Sequence, residues 1–391
     1  MKLKVACGLL LLMGSVFVAQ PVLAQANTVC AARSAKAFVN WPQFLSDPCH
    51  TGYNPNETVL GPFNVANLVL KWSFGGPQVI LSSPAVANGV VYYGSEDGNV
   101  YAVDANTGTQ IWKFKTTTYI GGSSPALANG VVYVGSSGIG NVYALNANTG
   151  ALLWQFTTGD DIESSPTVVN GIVYIGSINR TLWALDANTG ALVWSYQAGD
   201  RFWAAPAVAN GVVFDTSYDN SLYALDAKTG SPLWQFASGS YTGSAPAVAN
   251  GMVYFGSTDT YAYAVNATTG ALVWKYATAG NILLASPAVA NGVVYIGSED
   301  GNLYALNANT GVLQWKFQTG GSLEAAPAVA NGVVYIGSDD HNLYALNATT
   351  GAALWHYTTP YQVRSSPAVV NGMLYVGATN GGLYAFHLPG H

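Results

Sequence analysis

The chain is poor in charged residues. Asp, Glu, Lys and Arg make up 8% of its 391 residues, whereas a typical globular domain has about 25%. The formal net charge is −6, so the sequence offers no basic surface of the kind that holds a nucleic-acid backbone. We therefore predict no nucleic-acid partner.

Long hydrophobic runs are also scarce, and the one that stands out lies at the N-terminus. Lys2 and Lys4 precede an apolar run that begins at Val5, and a Val-Leu-Ala site for cleavage ends at Ala24, as in a secretory signal peptide. We predict that residues 1–24 are removed and that the protein is exported to a periplasmic or extracellular location. No later stretch approaches the roughly 20 apolar residues that a bilayer requires, so the mature chain should have no membrane span.

Cysteine is almost absent, with 3 residues in the whole chain. Cys7 lies within the predicted signal, so only Cys30 and Cys49 would remain in an oxidising compartment, where an even number favours pairing. We predict that a Cys30–Cys49 disulfide closes the N-terminal arm, residues 25–66. A loop of that length is worth about 3 kcal/mol in the chain-entropy description.

What the chain has in abundance is repetition. Near-copies of Ser-Pro-Ala-Val-Ala-Asn-Gly-Val-Val-Tyr-Ile-Gly-Ser recur every 40 or 41 residues. Within each unit, runs of β-branched and aromatic residues are separated by Asn-Gly, Asp-Gly and Thr-Gly pairs, which favour tight hairpin turns. Each unit therefore predicts four short antiparallel strands, and the repetition predicts a β-propeller. The prolines that open the units are Pro84, Pro125, Pro166, Pro206, Pro246, Pro287, Pro327 and Pro367.

The last unit is incomplete in a way that predicts ring closure. Seven units end in a Trp strand, but the unit that opens at Pro367 stops at Phe386 without one, and a matching strand with Trp72 lies before the first unit. We predict an all-β fold, a closed eight-bladed β-propeller of four-stranded antiparallel blades over residues 67–391. Pairing of the N-terminal outer strand with the C-terminal blade would seal the ring and remove its open edges.

One motif connects these units to a known family. The pattern Ala-x-Asp-x-x-Thr-Gly-x-x-x-Trp runs from Ala102 to Trp112 and recurs in six further units, four of which have Asn in place of Asp. It resembles the tryptophan-docking motif of pyrroloquinoline quinone (PQQ) repeat propellers, which include quinoprotein alcohol dehydrogenases and outer-membrane assembly factors of the BamB type. The resemblance implies that the indoles pack between blades, and the docking residues would be Trp72, Trp112, Trp154, Trp194, Trp234, Trp274, Trp315 and Trp355.

Positions that differ between units are the ones free to carry function, because the shared positions carry the fold. The loop before each Pro differs most, and in the usual strand order it lies at one mouth of the central channel. A ring of eight blades would place Glu163 opposite Glu324 and Trp203 opposite Arg364. The residues three before each Pro are Leu81, Gly122, Glu163, Trp203, Gly243, Leu284, Glu324 and Arg364.

Two interpretations of this mouth are open. In the functional one, a ligand stacks on Trp203 and is fixed by Arg364, while Glu163 and Glu324 accept hydrogen bonds or bind a cation. In the structural one, the charges solvate a rim and Arg364 neutralises Glu324 on the adjacent blade.

The fourth unit diverges further. A segment from Asp215 to Tyr218 replaces the usual Gly-Ser, and Arg201 lies two residues before Trp203. We therefore add Arg201, Asp215 and Tyr218 to the candidate residues of the mouth. Such divergence is typical of a partner contact and equally of neutral change.

Metal-binding and catalytic motifs are lacking. Acidic hairpins such as the one around Asp97 resemble calcium loops, but they lack the longer run of spaced oxygen ligands, so we assign them to turn formation and predict no metal site. The sequence contains no His-Glu-x-x-His, Gly-Lys-Ser/Thr or Gly-x-Ser-x-Gly motif, and these are the common signatures of hydrolases and nucleotide-binding enzymes.

The family resemblance implies two functions of different class. The first is an exported, monomeric, non-catalytic platform that needs no cofactor and binds a protein or glycan partner with its loops. The alternative is an alcohol dehydrogenase that uses PQQ and calcium, with Trp203, Glu163 and Arg364 as stacking floor, calcium ligand and quinone-binding cation. The family's enzymes add long insertions, an adjacent-cysteine disulfide and an Asp base, whereas these units are bare and contain no Cys-Cys pair. We prefer the first function.

Overall fold

The computed structural model describes residues 40–76 and 78–390, which form eight four-stranded antiparallel blades arranged in a ring. The predicted all-β, eight-bladed propeller is confirmed. The signal peptide and Cys30 lie outside the described residues, so cleavage after Ala24 and the Cys30–Cys49 disulfide stay predictions.

Blades are numbered here from Pro84, and their strands follow one another from the channel outward. In blades 1 to 4 the strands are Ala85–Ala87, Val90–Gly94, Asn99–Asp104 and Gln110–Lys115; Ala126–Ala128, Val131–Ser136, Asn141–Asn146 and Leu152–Thr157; Thr167–Val169, Ile172–Gly176, Thr181–Asp186 and Leu192–Gln197; Ala207–Ala209, Val212–Ser217, Ser221–Asp226 and Pro232–Ala237.

The other four blades repeat this order. Their strands are Ala247–Ala249, Met252–Gly256, Tyr261–Asn266 and Leu272–Ala277; Ala288–Ala290, Val293–Gly297, Asn302–Asn307 and Leu313–Gln318; Ala328–Ala330, Val333–Gly337, Asn342–Asn347 and Ala353–Thr358; and, in blade 8, Ala368–Val370, Met373–Gly377, Gly382–His387 and Val69–Gly75.

Ring closure uses the first strand of the propeller. Val69–Gly75 pairs antiparallel with Gly382–His387, and Trp72 lies opposite Ala385. Blade 8 has no complete Thr-Gly turn of its own, so Trp355 of blade 7 donates its indole N–H to the carbonyl oxygen of Leu68 at 3.0 Å. The predicted sealing by an N-terminal outer strand is confirmed.

The docking tryptophans join neighbouring blades in a repeated way. Trp112 donates its indole N–H to the carbonyl oxygen of Ala147 in the next blade at 2.8 Å. Its ring lies on Gly150, where a Cβ would come within 2.8 Å of the indole, and Gly150 has a φ of 72°. The Thr-Gly of the motif therefore provides both the turn and a flat surface for the indole. The same hydrogen bond to an Ala carbonyl is made by Trp72, Trp154, Trp194, Trp234, Trp274 and Trp315.

The N-terminal arm runs inside the channel and hydrogen-bonds to every innermost strand. Seven of these strands donate a backbone N–H to the arm, and the eighth accepts the side-chain N–H of Asn54 at its Val369 carbonyl, at 2.8 Å. Tyr53–Asn54 also pairs in parallel with Val329 and Ala330 of blade 7. The seven donors are Val86, Leu127, Val168, Val208, Val248, Val289 and Val329.

The arm leaves the channel on the face that carries the Asn-Gly turns. Asn331, in such a turn of blade 7, donates its side-chain N–H to the Leu60 carbonyl at 2.9 Å, and Val59 packs on Gly372 of blade 8. A short 3-10 helix, Val65–Asn67, then leads to the sealing strand. The channel is thus occupied on this side and open on the other.

Candidate functional site

The open side of the channel forms a cavity of about 170 Å³. Its floor includes Phe44 of the arm, and its wall contains the residue three before the Pro of every blade. The structure therefore brings together Glu163, Trp203, Glu324 and Arg364, four of the candidate residues. The other wall residues at this position are Leu81, Gly122, Gly243 and Leu284.

A partial ring of serine hydroxyls lies directly below these residues. The backbone N–H of Ser83 donates to the Oγ of Ser124 in the next blade at 2.9 Å, and the same contact joins four other neighbouring pairs. Alanines interrupt the ring in blades 4, 5 and 7. In blades 4 and 5, Phe44 packs against Ala205 and Ala245. The small side chains of these two blades therefore make room for the floor of the cavity.

The side chain of Glu163, from the loop before blade 3, extends toward blade 2 and is hydrogen-bonded there. Its Oε2 accepts the backbone N–H of Gly122 at 2.6 Å, and its Oε1 accepts the hydroxyl of Ser137 at 2.7 Å. A Cβ at Gly121 would lie 2.3 Å from Oε2, so the glycines of blade 2 provide the space that the carboxylate occupies. The sequence did not reveal this coupling, because paired glycines also precede other blades.

Arg364 is engaged by two carboxylates of blade 7. Its Nε and Nη2 donate to the two carboxylate oxygens of Asp339 at 2.9 and 2.7 Å, and its Nη1 lies 3.1 Å from Oε2 of Glu324. The hydrogen bonds to Asp339 raise the pKa of Arg364. The arrangement matches the structural interpretation of this residue, and it adds a partner that sequence reasoning missed.

Asp339 was missed because it belongs to an acidic hairpin that was assigned to turn formation. Its neighbour Asp340 does perform that role, since it accepts the backbone N–H of Asn342 at 2.9 Å and the hydroxyl of Tyr344 at 2.6 Å. Asp339 instead extends toward the mouth and binds Arg364. Two adjacent Asp residues thus have different roles, which only their side-chain directions distinguish.

The carboxyl groups around the mouth influence one another. Burial raises the pKa of Glu324, Arg364 lowers it, and the charges of Asp339 and Glu299 raise it again. Burial also raises the pKa of Glu96, and the charge of Glu163 raises it further. Carboxylates are therefore close to each other in two places, one around blades 1 to 3 and the other on blades 6 and 7.

The divergent residues of blade 4 form a stack of aromatic rings. The ring centroids of Trp203 and Tyr218 are 5.9 Å apart, and those of Tyr218 and Tyr241 are 5.2 Å apart, with the planes within 27° of parallel. The guanidinium of Arg201 lies 4.3 Å from the centroid of Tyr218 and 5.5 Å from that of Trp203. Gly243 of blade 5 leaves room for Tyr218, because a Cβ there would be 3.1 Å from its ring. The divergent side chains of blade 4 thus pack as one cluster with Tyr241 of blade 5.

Asp215 does not join the other candidates. It is completely buried within the strand Val212–Ser217 and is not part of the cavity wall. Its Oδ1 accepts the backbone N–H of Thr216 at 2.8 Å. In blade 3 the Oγ of Ser164 accepts the equivalent N–H of Gly176, and Ala204 of blade 4 cannot do so. Asp215 therefore replaces a missing hydroxyl, and burial raises its pKa well above the usual value.

Two features of the mouth bear on whether it could hold PQQ and calcium. PQQ carries three carboxylates and a quinone, yet the guanidinium in the cavity wall, that of Arg364, is already paired. Calcium takes 6–8 oxygen ligands, and within residues 40–76 and 78–390 no three His, Cys, Asp or Glu side chains are grouped so that they could hold a metal ion.

The same part of the chain contains no helix long and apolar enough to cross a membrane.

The fold defines a class: an eight-bladed propeller with an indole docked between successive blades is a PQQ-like β-propeller. The family model described as "Outer membrane protein assembly factor BamB" matches residues 69–155, 139–281, 230–325 and 318–388. These matches cover the propeller almost from end to end. The chain belongs to this PQQ-repeat family.

Solved structures of two kinds resemble the chain. Quinohemoprotein alcohol dehydrogenase from Comamonas testosteroni superposes with a TM-score of 0.80 at 18% identity, over 92% of this chain and 82% of that one. BamB from Moraxella catarrhalis superposes with a TM-score of 0.70 at 22% identity, over 83% of this chain and 98% of that one. At these identities the likeness shows the fold alone.

One curated relative matches a short segment. It is the tetrathionate hydrolase of Acidithiobacillus ferrooxidans, 29% identical over 100 residues. The match spans 25% of this chain and 19% of that protein's length. We transfer no activity from it.

Proposed function

We propose that the protein is an exported, non-catalytic binding platform, and that its binding site is the axial mouth with the loops around it. The observation that carries this proposal is the engagement of the charged wall residues by neighbouring blades. Arg364 is paired with Asp339 and Glu324, and Glu163 is held by Gly122 and Ser137. Such a mouth is preformed for recognition, and it presents no activated nucleophile or base.

The family and the sequence support the rest of this proposal. The matching family model is described as an outer-membrane assembly factor, and a protein partner at the loop face agrees with that description. Export is inferred from Lys2, Lys4 and the cleavage pattern that ends at Ala24. We propose that the platform works as a monomer, without PQQ or a metal ion.

A second candidate function is alcohol oxidation with PQQ and calcium, and one observation favours it. Residues 67–391 make up about 83% of the chain, so the match to quinohemoprotein alcohol dehydrogenase over 92% extends into the N-terminal arm. The match to BamB covers 83%. The arm is thus a feature that this chain shares with enzymes of the fold.

A titration separates the two functions. Purified mature protein is titrated with PQQ and calcium and followed by absorbance and calorimetry, and a dye-linked assay with simple alcohols follows. We expect neither stoichiometric binding at high micromolar cofactor nor turnover. Tight binding with turnover that is lost in Trp203→Ala would overturn the proposed function and establish the dehydrogenase.

A further inference from the structure

We propose that the mouth binds an aliphatic cation whose alkyl chain lies against Trp203 and whose ammonium groups face the carboxylate-bearing walls. This inference rests on the proposed function of the mouth as a binding site and names the chemistry of its ligand. The ammonium can come from a free diamine or from a lysine side chain of a protein partner.

The size and lining of the cavity favour a small, partly apolar ligand. Its volume of about 170 Å³ is well below the roughly 300–1,000 Å³ of pockets for drug-sized molecules. Phe44 forms part of the floor, and Leu81, Leu284 and Trp203 contribute apolar wall. Such a cavity suits a short alkyl chain that enters from the open face.

The indole of Trp203 is positioned before a ligand arrives. Tyr218 stacks against it at 5.9 Å, and the guanidinium of Arg201 lies 5.5 Å from its centroid. The stack continues to Tyr241, so the indole is supported by packed neighbours. The large apolar face of the indole can therefore pack against an alkyl chain.

The walls carry negative charge on both sides of the axis. On one side, the carboxylate of Glu163 lies in the cavity wall, and its charge raises the pKa of Glu96 in blade 1. In the described part of the chain, ion pairs are formed only by Arg364, so no cation compensates this pair. Blades 1 to 3 therefore present an attractive wall to an ammonium group.

The wall of blades 6 and 7 also has more anions than cations. Glu324, Asp339 and Glu299 interact with one another and with a single guanidinium, that of Arg364. Asp339 engages that guanidinium with both oxygens, so an anionic ligand at the wall of blades 6 and 7 would meet carboxylates without a free basic partner. A ligand with an ammonium group at each end would satisfy both walls.

Calorimetry with small amines tests the proposal on the full mature protein. We expect 1,4-diaminobutane to bind with an affinity that falls as salt is raised, butylamine to bind about tenfold more weakly, and adipate, a dianion of similar length, not to bind. Glu163→Gln and Glu324→Gln should each weaken diamine binding about tenfold. Trp203→Ala should weaken it by a similar factor.

A matched control separates a local contact from a general effect of charge. Asp186 caps an exposed turn, and Asn146 occupies the same place in blade 2, so Asp186→Asn removes one negative charge without altering the fold. We expect diamine binding to stay unchanged in this variant. Melting temperatures near the wild-type value would verify that all the variants are folded.

The outcomes distinguish the sources and can overturn the proposal. Nα-acetyl-lysine methylamide that binds more tightly than butylamine would identify a partner's lysine as the ligand, and binding no tighter than that of butylamine would favour the free diamine. No amine binding in the millimolar range, tighter binding of adipate, or full diamine affinity in both Glu→Gln variants would reject the proposal. Such a rejection leaves the platform function standing, because PQQ binding and turnover decide that separately.

Discussion

At the residue scale, His50 shows how the arm is adapted to the inside of the channel. The side chain is completely buried, and its Nε2 lies 2.9 Å from the Oγ1 of Thr167 in blade 3. Phe44 packs edge-on against the ring at 5.7 Å. Burial lowers the pKa of His50 to about 3, so the imidazole stays neutral in the folded protein over most of the pH range.

This burial predicts a loss of stability in acid. Below the unfolded pKa of 6.5 the unfolded chain takes up a proton at His50 and the folded protein does not, so stability decreases until the pH approaches the folded pKa of about 3. As the pH falls from 6 to 4, the unfolding free energy of the wild type should decrease relative to that of His50→Gln by about 1.4 kcal/mol per pH unit. Urea unfolding at several pH values measures it.

The difference between wild type and variant is needed because Asp47 works in the opposite direction. Burial raises the pKa of Asp47 to about 6, so its contribution to stability decreases as the pH rises from its unfolded pKa to that value. Both proteins carry Asp47, and its contribution largely cancels. A difference that does not vary with pH would mean that His50 is protonated in the folded channel.

At the scale of the element, the docked tryptophan and the glycine beneath it are the contact by which one blade recognises the next. Trp154 donates to the Ala187 carbonyl at 2.9 Å, and a Cβ at Gly190 would lie 2.7 Å from the indole. The ring therefore depends on close contact between a flat indole and a bare backbone, repeated from blade to blade.

A comparison of two glycines of blade 3 separates the effect of this contact from that of backbone strain. Gly190 and Gly171 have φ angles of 72° and 77°, so replacement by Ala strains the backbone similarly at both. Only Gly190 faces an indole, since nothing lies within 4 Å of a Cβ at Gly171. We expect Gly190→Ala to destabilise the protein by about 1–3 kcal/mol more than Gly171→Ala, the usual range for overpacking. Chemical denaturation compares them, and equal losses would contradict the packing role.

At the scale of the whole molecule, the arm determines what kind of cavity the propeller has. It provides acceptors for backbone N–H groups of seven inner strands, which would otherwise line a water-filled channel. It also places Phe44 at the base of the open mouth. The arm thus converts a channel into a cavity with one opening.

Hydrogen exchange can test this role of the arm. Deleting residues 25–54 should speed exchange at the inner-strand amides of Val208, Val248 and Val289, because each loses its acceptor in the arm. Amides of the outer strands should keep their protection. Deleting only residues 25–29, which keeps Cys30, is the control and should leave the three amides protected. Unchanged protection in the longer deletion would show that water replaces the arm without loss.

The sequence by itself determined the ring. The Pro spacing, the Asn-Gly turns and the displaced strand at Trp72 predicted eight blades and their closure, because these signals are local and repeat with a fixed period. The same period placed Glu163, Trp203, Glu324 and Arg364 at one mouth, since equivalent positions of a closed ring must lie at the same height.

Only the tertiary structure decided how that mouth is assembled. Asp339 reaches Arg364 from a hairpin that resembles its neighbours, Tyr241 completes a stack begun in blade 4, and Phe44 comes from an arm outside the repeat. The burial of Asp215 was equally hidden, because a repeat shows that a position differs but not which way its side chain points. Contacts between blades and arm depend on side-chain packing across the axis, and no local pattern in the chain encodes them.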